Sequence, residues 1–358
     1  MEAWRHSATQ QHVLFCLPTK GNRTLVNGTS YNLGDLPGQS LQEAADVIAS
    51  ETPLRTIPRL PGRGLGSDAI ATTLSMIPEL PIEKGPRSWR LTPRPQILSR
   101  RVWDRRTRDL DTIEELWGQS PQVQFVAVGP FSLATRIELS GGHLAVTDPG
   151  ALRDLCEAYI EGLVTHATDI QRRLGADVAL ILEEPDLNSL AQGTIKGTSD
   201  FDVIPKIFPT TLGERLHGVI TALHEGGIGI IRLNQLGSTP RVDIARIAVP
   251  DVILLSRAAI RGTGLLDDVG QAISEGIGVG IGSIGSRDFL DEQRENPRRH
   301  AVAAARLFDE LAISREDLSK AEIIPGAPLT DTSLLAAARA LACARVANEM
   351  LAKDAGDL

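Results

Sequence analysis

Cysteine is scarce: Cys16, Cys156 and Cys343 are the whole set, far apart, with no CxxC or CxC pair. An odd, scattered set excludes a disulfide framework and a cysteine-rich zinc cluster, and it suits a reducing compartment. In such a compartment the Asn-x-Thr triplets at Asn22 and Asn27 carry no sugar. Long apolar runs are also missing. No stretch approaches the ~18 residues of a membrane span. The run Val13–Leu17 is too short for a signal-peptide core and has no small-residue cleavage site. These absences lead us to expect a cytoplasmic protein with no membrane partner. Basic excess is lacking as well: 37 Lys and Arg face 45 Asp and Glu, a net charge of −8. Non-specific nucleic-acid binding needs a basic footprint to displace counterions, so nucleic acid is excluded as a partner.

What is present is an ordinary globular composition, 42% apolar and 23% charged, able to build a large core. Length alone suggests two domains of ~150 residues, but α/β barrels run to ~250 or more as one unit. Short Val- and Ile-rich runs alternate with longer segments at helical period, the pattern of βα units and a parallel sheet. The clearest strands are Val123–Val128, Val178–Leu182, Gly227–Arg232, Val252–Ser256, Ile277–Ile281 and Glu322–Pro325. Helices are expected at Ala151–Leu174, Thr211–Glu225, Asp243–Ala248, Leu265–Glu275, Arg298–Leu311 and Thr332–Lys353. Strands near Tyr31–Leu36 and Thr56–Leu60 bring the count to eight, which indicates a closed (β/α)₈ TIM-type barrel over residues 31–358. Residues 1–30 read as an N-terminal extension. The Pro-rich stretch near 78–98 reads as an excursion in which Trp89, Leu91 and Ile97 cap a barrel end. An open doubly wound sheet is the alternative, but no Gly-rich dinucleotide loop follows the first strand.

In a parallel barrel the reactive groups sit at the carboxyl ends of the strands. Val178–Leu182 ends in Glu183-Glu184-Pro185-Asp186. Adjacent strand residues point to opposite faces, so one carboxylate looks into the mouth and the other toward the helix layer. Sequence leaves open which is which, and also whether both merely cap the next helix. Gly129-Pro130 breaks the strand before it, and Ser132 begins a helix whose free N–H groups face the mouth. Thr147 or Asp148 caps the long helix that follows, and His143 reads as a solvated loop residue. A GxGxxG at Gly280, Gly282 and Gly285 stands too late in the chain for a dinucleotide site. It is either a strand whose loop cradles an anion or a set of glycines allowing close packing. His166, His217, His224 and His300 lie on helices with no metal-ligand spacing.

Several strings together carry a family resemblance. These are Asn32-Leu-Gly34-Asp35-Leu-Pro37-Gly38, Leu60-Pro-Gly-Arg63-Gly64-Leu-Gly66-Ser-Asp68, Gly129-Pro130-Phe-Ser-Leu-Ala-Thr-Arg-Ile-Glu138, Gly142-His143 with Thr147-Asp148, and Glu183-Glu184-Pro185. The chain resembles the catalytic barrel of the cobalamin-independent methionine synthase family, particularly its short single-barrel relatives. The resemblance implies a (β/α)₈ barrel and methyl transfer from methyltetrahydrofolate to homocysteine, with zinc activating the thiol. It also implies that Glu183 and Glu184 match the acids that hold the substrate's amino group. The family's zinc ligands are a His-x-Cys after the fifth strand, an acid after the sixth and a Cys after the eighth. Here those places read Arg232-Leu233-Asn234, Leu254-Leu255-Ser256 and Pro325-Gly326-Ala327-Pro328, so all four ligands are substituted.

The sequence therefore predicts a methionine-synthase-like protein with no metal and no other cofactor, whose partner is a small amino acid, folate-like or anionic ligand. Candidate binding residues are Glu183, Glu184, Arg232, Asn234 and Ser132. Arg232 either offers a fixed positive charge to a ligand or pairs with Glu183 or Glu184. A non-catalytic binder and a metal-free barrel enzyme of different chemistry are the alternatives.

Overall fold

The computed structural model describes residues 29–197, 204–285, 296–356 and 358. Its main sheet has seven strands in the order β1 (Arg55–Thr56), β4 (Gln122–Val128), β6 (Asp177–Glu183), β7 (Ile230–Asn234), β8 (Val252–Ser256), β9 (Gly278–Ile284) and β10 (Glu322–Pro325). All pairings in it are parallel. Strands apolar on both faces need cover on both sides, and helices supply the outer cover. They are α3 (Ile97–Trp117), α5 (Pro149–Leu174), α7 (Pro209–Glu225), α8 (Val242–Ala248), α9 (Thr263–Ser274), α10 (Pro297–Glu310) and α12 (Leu334–Asp354), with α1 (Leu41–Glu51) and α2 (Ala69–Ser75) before them. Short helices α4 (Pro130–Ala134), α6 (Leu187–Gln192) and α11 (Arg315–Lys320) fill the connections.

The eighth stave is the extended segment 29–36, anchored beside residues 54–59 by a parallel bridge of Asp35 with Arg59. Arg59 N–H donates to Gly34 O at 2.9 Å and Leu36 N–H to Arg59 O at 3.0 Å. On its other side, among the described residues, no backbone ladder joins it to β10. The Tyr31 hydroxyl instead donates to Glu322 Oε2 on that strand at 2.6 Å. The chain is thus a TIM-type α/β barrel closed at one seam by side chains.

Side-chain alternation sorts the strands into two cores. Val126, Ile181, Val252, Leu254 and Ile324 point inward and cluster with Tyr31 and Leu54. The residues between them, such as Phe125, Leu180, Leu182, Ile253 and Leu255, join the larger core under the helices. The interior also holds a polar layer. Arg232 donates through Nη2 to Glu322 Oε1 at 2.7 Å and through Nη1 to Gln124 Oε1 at 2.9 Å, and Gln124 Nε2 donates to Thr56 Oγ1 at 3.0 Å. The Arg232 guanidinium lies 4.6 Å from the centroid of the Tyr31 ring. Arg232 is 1% exposed and Glu322 3% exposed, so both charges are withdrawn from water. This corrects the expectation that Arg232 pairs with Glu183 or Glu184: its carboxylate is Glu322.

The glycine run belongs to this packing. A Cβ at Gly280 would stand 2.5 Å from Leu254 Cδ2 and 3.6 Å from both the Tyr31 hydroxyl and Glu322 Oε2. Gly280 is a strand residue that leaves room for the layer, so the close-packing reading of the GxGxxG applies to it; residues 286–295 lie outside the described residues.

Two further features depart from expectation, and one choice left open by the sequence is decided. The excursion supplies two strands, β2 (Ile82–Lys84) and β3 (Trp89–Leu91), of a second, three-stranded sheet completed by β5 (Ile137–Glu138). Trp89 is buried there, with Nε1 donating to Asp68 Oδ1 at 3.1 Å, but Ile97 is 72% exposed and caps nothing. Asp148, not Thr147, caps α5, accepting from the N–H groups of Gly150 and Ala151. Finally, α3 is a helix not expected from the sequence, because Arg100, Arg101, Asp104, Arg105, Arg106 and Arg108 interrupt its buried stripe Val102, Leu110, Ile113 and Trp117. Of the N-terminal extension, residues 1–28 lie outside the described residues.

Removing one partner of a buried ion pair leaves an uncompensated charge, a loss of about 3–5 kcal/mol. Glu322→Leu is therefore expected to lower stability by about that amount in urea unfolding, and adding Arg232→Met should restore most of it. A loss under about 1 kcal/mol for the single variant would show that the pair does not hold the barrel together.

Candidate functional site

Glu183 ends β6 in register with Val128 on β4 and Asn234 on β7. Residues paired in register share a face, so these three side chains line the carboxyl-end mouth together. The mouth is a cavity bounded by Asp35, Arg59, Ala69, Ile70, Val128, Arg136, Glu183, Pro185, Asn234 and Leu236.

Its centre is a three-residue charge cluster. Arg59 donates through Nη1 to Glu183 Oε2 at 2.8 Å and through Nη2 to Glu183 Oε1 at 3.0 Å, a bidentate pair. Its Nε donates to Asp35 Oδ1 at 2.6 Å. Two carboxylates on one guanidinium leave a net single negative charge. The Arg59 side chain is 5% exposed, whereas Asp35 is 35% and Glu183 18% exposed, so the carboxylates are what the cavity presents. On the rim, Arg136 forms a second bidentate pair, with Asp186, at 2.8 and 2.9 Å. Burial alone would raise the Asp186 carboxyl, but the Arg136 and Thr135 hydrogen bonds outweigh it and hold it below the usual range. Asn234 Oδ1 accepts from Leu236 N–H at 2.9 Å, which leaves its NH₂ without a partner among the described residues.

Glu184 turns the other way. It is fully buried, with Oε1 accepting from Phe131 N–H at 3.0 Å and Oε2 from Ser132 N–H at 2.8 Å and Ser132 Oγ at 2.6 Å. Those N–H groups are the free donors of the first turn of α4. Ser132 Oγ in turn accepts from Asp186 N–H at 3.0 Å, so Glu184 and Ser132 fix the turn that carries Asp186 to the rim. Gly129 is obligatory here, because a Cβ would overlap the Glu184 carboxyl. Burial pushes that carboxyl up to about 7, against the pull of its Ser132 and Phe131 donors.

Of the five residues singled out from sequence, Glu183 and Asn234 reach the mouth, Glu184 and Ser132 brace it from behind, and Arg232 lies beneath it inside the barrel. Asp35, Arg59 and Arg136 were missed as site residues. Asp35 and Arg59 lie inside irregular extended segments and Arg136 follows a five-residue helix, so none ends a regular strand where the sequence would mark it.

The strand ends do not suit a zinc ion. Arg232 is committed to Glu322, Leu233 and Leu255 pack into the helix-side core, Leu254 fills the barrel interior, and Asn234 and Ser256 offer only neutral oxygens. Cys156 is on α5, its thiol pushed up to about 12 by burial, and Cys343 is buried on α12; Cys16 lies outside the described residues. Among the described residues no three His, Cys, Asp or Glu side chains are grouped so as to share a metal. None of their helices is long and apolar enough to cross a membrane.

No protein-family model and no curated protein sequence matches the chain. Among solved structures it is similar to a B12-independent methionine synthase from Shewanella sp. W3-18-1 in complex with selenomethionine. The TM-score is 0.57 at 12% identity, over 92% of this chain and 99% of that one. A methyltransferase from Methanosarcina mazei aligns with a TM-score of 0.48 at 14% identity, over 88% of this chain and 93% of that one. At these identities the likeness is one of fold, the TIM-type α/β barrel.

The buried Glu184 has a pH signature. Its carboxyl is raised in the folded chain, so between the ordinary glutamate range and about pH 7 the native state holds a proton that the unfolded state has released. Stability should therefore fall as pH rises through that window and level off above it. Urea midpoints measured from pH 4.5 to 8 are expected to show this slope in the native sequence and to lack it in Glu184→Gln. An identical slope in both would assign the pH dependence to other groups.

Proposed function

We propose that the protein is a methionine-synthase-like barrel that binds a small amino acid at its mouth and does not use a thiol-activating zinc. The observation that carries this reading is the Asp35, Arg59 and Glu183 cluster, whose excess negative charge faces the cavity. An ammonium group is the natural complement of that excess, accepting stabilisation from both carboxylates at once. The unengaged NH₂ of Asn234 and the Arg136 guanidinium line the same cavity and suit a ligand carboxylate. The similarity of fold to the Shewanella methionine synthase, a structure that contains selenomethionine, supports an amino acid as the ligand class.

Methyl transfer from methyltetrahydrofolate to homocysteine requires a thiolate at neutral pH. A free thiol is mostly protonated there. The strand ends matched to the zinc ligands supply no thiolate or imidazole, and the one strand-end carboxylate at the mouth, Glu183, is already bidentate with Arg59. We therefore assign the mouth to binding, with zinc-dependent methyl transfer absent.

Methionine and homocysteine titrated into the purified chain by calorimetry are expected to bind, and Glu183→Gln should weaken them about tenfold or more, the value of one charge-assisted hydrogen bond. After exposure to zinc and desalting, elemental analysis should find far less than one zinc per chain. Stoichiometric zinc with methyl transfer to homocysteine would overturn the metal-free reading, and the absence of any amino-acid binding would overturn the ligand class.

A further inference from the structure

We infer that the protein carries a second binding site, on the flank of the barrel, for a small anion with an apolar body: a carboxylate or phosphate monoester on an aliphatic or aromatic group. The site arises where the sheet splits. The ladder between β1 and β4 covers only Arg55 with Val123 and Thr56 with Gln124, followed by one bond from Ile57 N–H to Gln124 O. Higher up, Val128 N–H donates to Thr73 Oγ1 of α2 at 2.9 Å, so a helix side chain replaces the missing strand partner. The gap opens outward into a cavity between these strands and α2, α3 and α5.

The floor of this cavity is apolar, made by Met76, Val102, Leu110 and Phe125, each 5% exposed or less. Its walls are cationic and incompletely matched. Arg63 is neutralised by Asp109, to which it donates at 2.8 Å. Arg105 donates only to neutral oxygens, Ser67 Oγ and Leu65 O. Arg106 has no hydrogen bond or ion pair among the described residues, and its Nε is buried without an acceptor.

His166 supplies the second independent sign of a ligand. It is 3% exposed, lines the cavity, and its Nδ1 is buried without a partner. Its ring meets Phe125 edge-on at a centroid distance of 5.0 Å. Burial and the field of Arg106 hold it down to about 3, so the ring stays neutral and offers one N–H and one lone pair. Buried polar groups are ordinarily satisfied, and leaving both Arg106 Nε and His166 Nδ1 unpaired costs stability. An anionic head placed between them meets both needs, while the floor accepts an apolar body. A bare inorganic anion would leave that floor unused, and a neutral apolar molecule would leave the guanidinium unmatched.

The test titrates phenyl phosphate and octanoate into the full chain by calorimetry, with inorganic phosphate and 1-octanol alongside. At least one of the two amphiphiles is expected to bind with a dissociation constant below about 1 mM, and both simpler probes about tenfold more weakly or worse. Arg106→Gln should weaken the amphiphile about tenfold with its circular dichroism unchanged. If that variant does not fold, Arg105→Gln carries the same expectation. Asn234→Ala, at the mouth, should leave the affinity unaltered. The inference fails if neither amphiphile binds, if inorganic phosphate or octanol binds equally well, or if binding depends on Asn234 and not on the arginines.

Discussion

A guanidinium inside a barrel cannot stay there alone, and the architecture is arranged around that requirement. Arg232 rises from β7 into the interior and is met by Glu322 from β10, by Gln124 from β4 and by the ring of Tyr31 from the first stave. Gln124 passes the network on to Thr56 of β1. Four strands and the N-terminal segment are thereby tied at one level, and the seam that lacks a backbone ladder is bridged by the Tyr31 hydroxyl. The glycine at position 280 is part of the same arrangement, since any side chain there would occupy space taken by Leu254 and the network's edge. Charge below the mouth is thus structural, and charge available to a ligand begins one layer higher.

That division depends on the two-residue period of a strand. Glu183 and Glu184 are neighbours in sequence and opposites in environment: one is bidentate with Arg59 at an open cavity, the other is enclosed by the first turn of α4. The enclosed carboxylate positions the rim, because Ser132 links it to the backbone that holds Asp186, and Asp186 holds Arg136. A ligand at the mouth would therefore meet an outer layer of charges braced from behind, the arrangement that keeps a site's geometry fixed before anything binds.

The barrel was legible because its strands are apolar on both faces and alternate with segments at helical period, a pattern that survives without any knowledge of contacts. Val123–Val128, Val252–Ser256 and Glu322–Pro325 emerge within a residue of their sequence limits. The ends of the chain's first half were harder to read. Helix α3 hides its apolar stripe among arginines that serve the flank and the surface, and β2 and β3 are three residues each, too short to show a period. In the site, Glu183 could be named from its position at a strand end, whereas Arg232 and Asn234 were both reached through the resemblance's zinc-ligand place. The fold separates them: Arg232 pairs in register with Ile181, inside the barrel, while Asn234 pairs with Glu183 at the mouth. Arg59 and Asp35 stayed hidden because neither ends a regular strand, and only the folded chain brings residue 35 against residue 59.

The Tyr31–Glu322 contact joins positions 291 residues apart in the chain. Without Glu322 the Arg232 guanidinium would be enclosed with only neutral partners, Gln124 and an aromatic face, a costly state for a cation away from water. The first and last staves are therefore coupled energetically: a barrel closed around Arg232 needs both ends of the described chain in place at once.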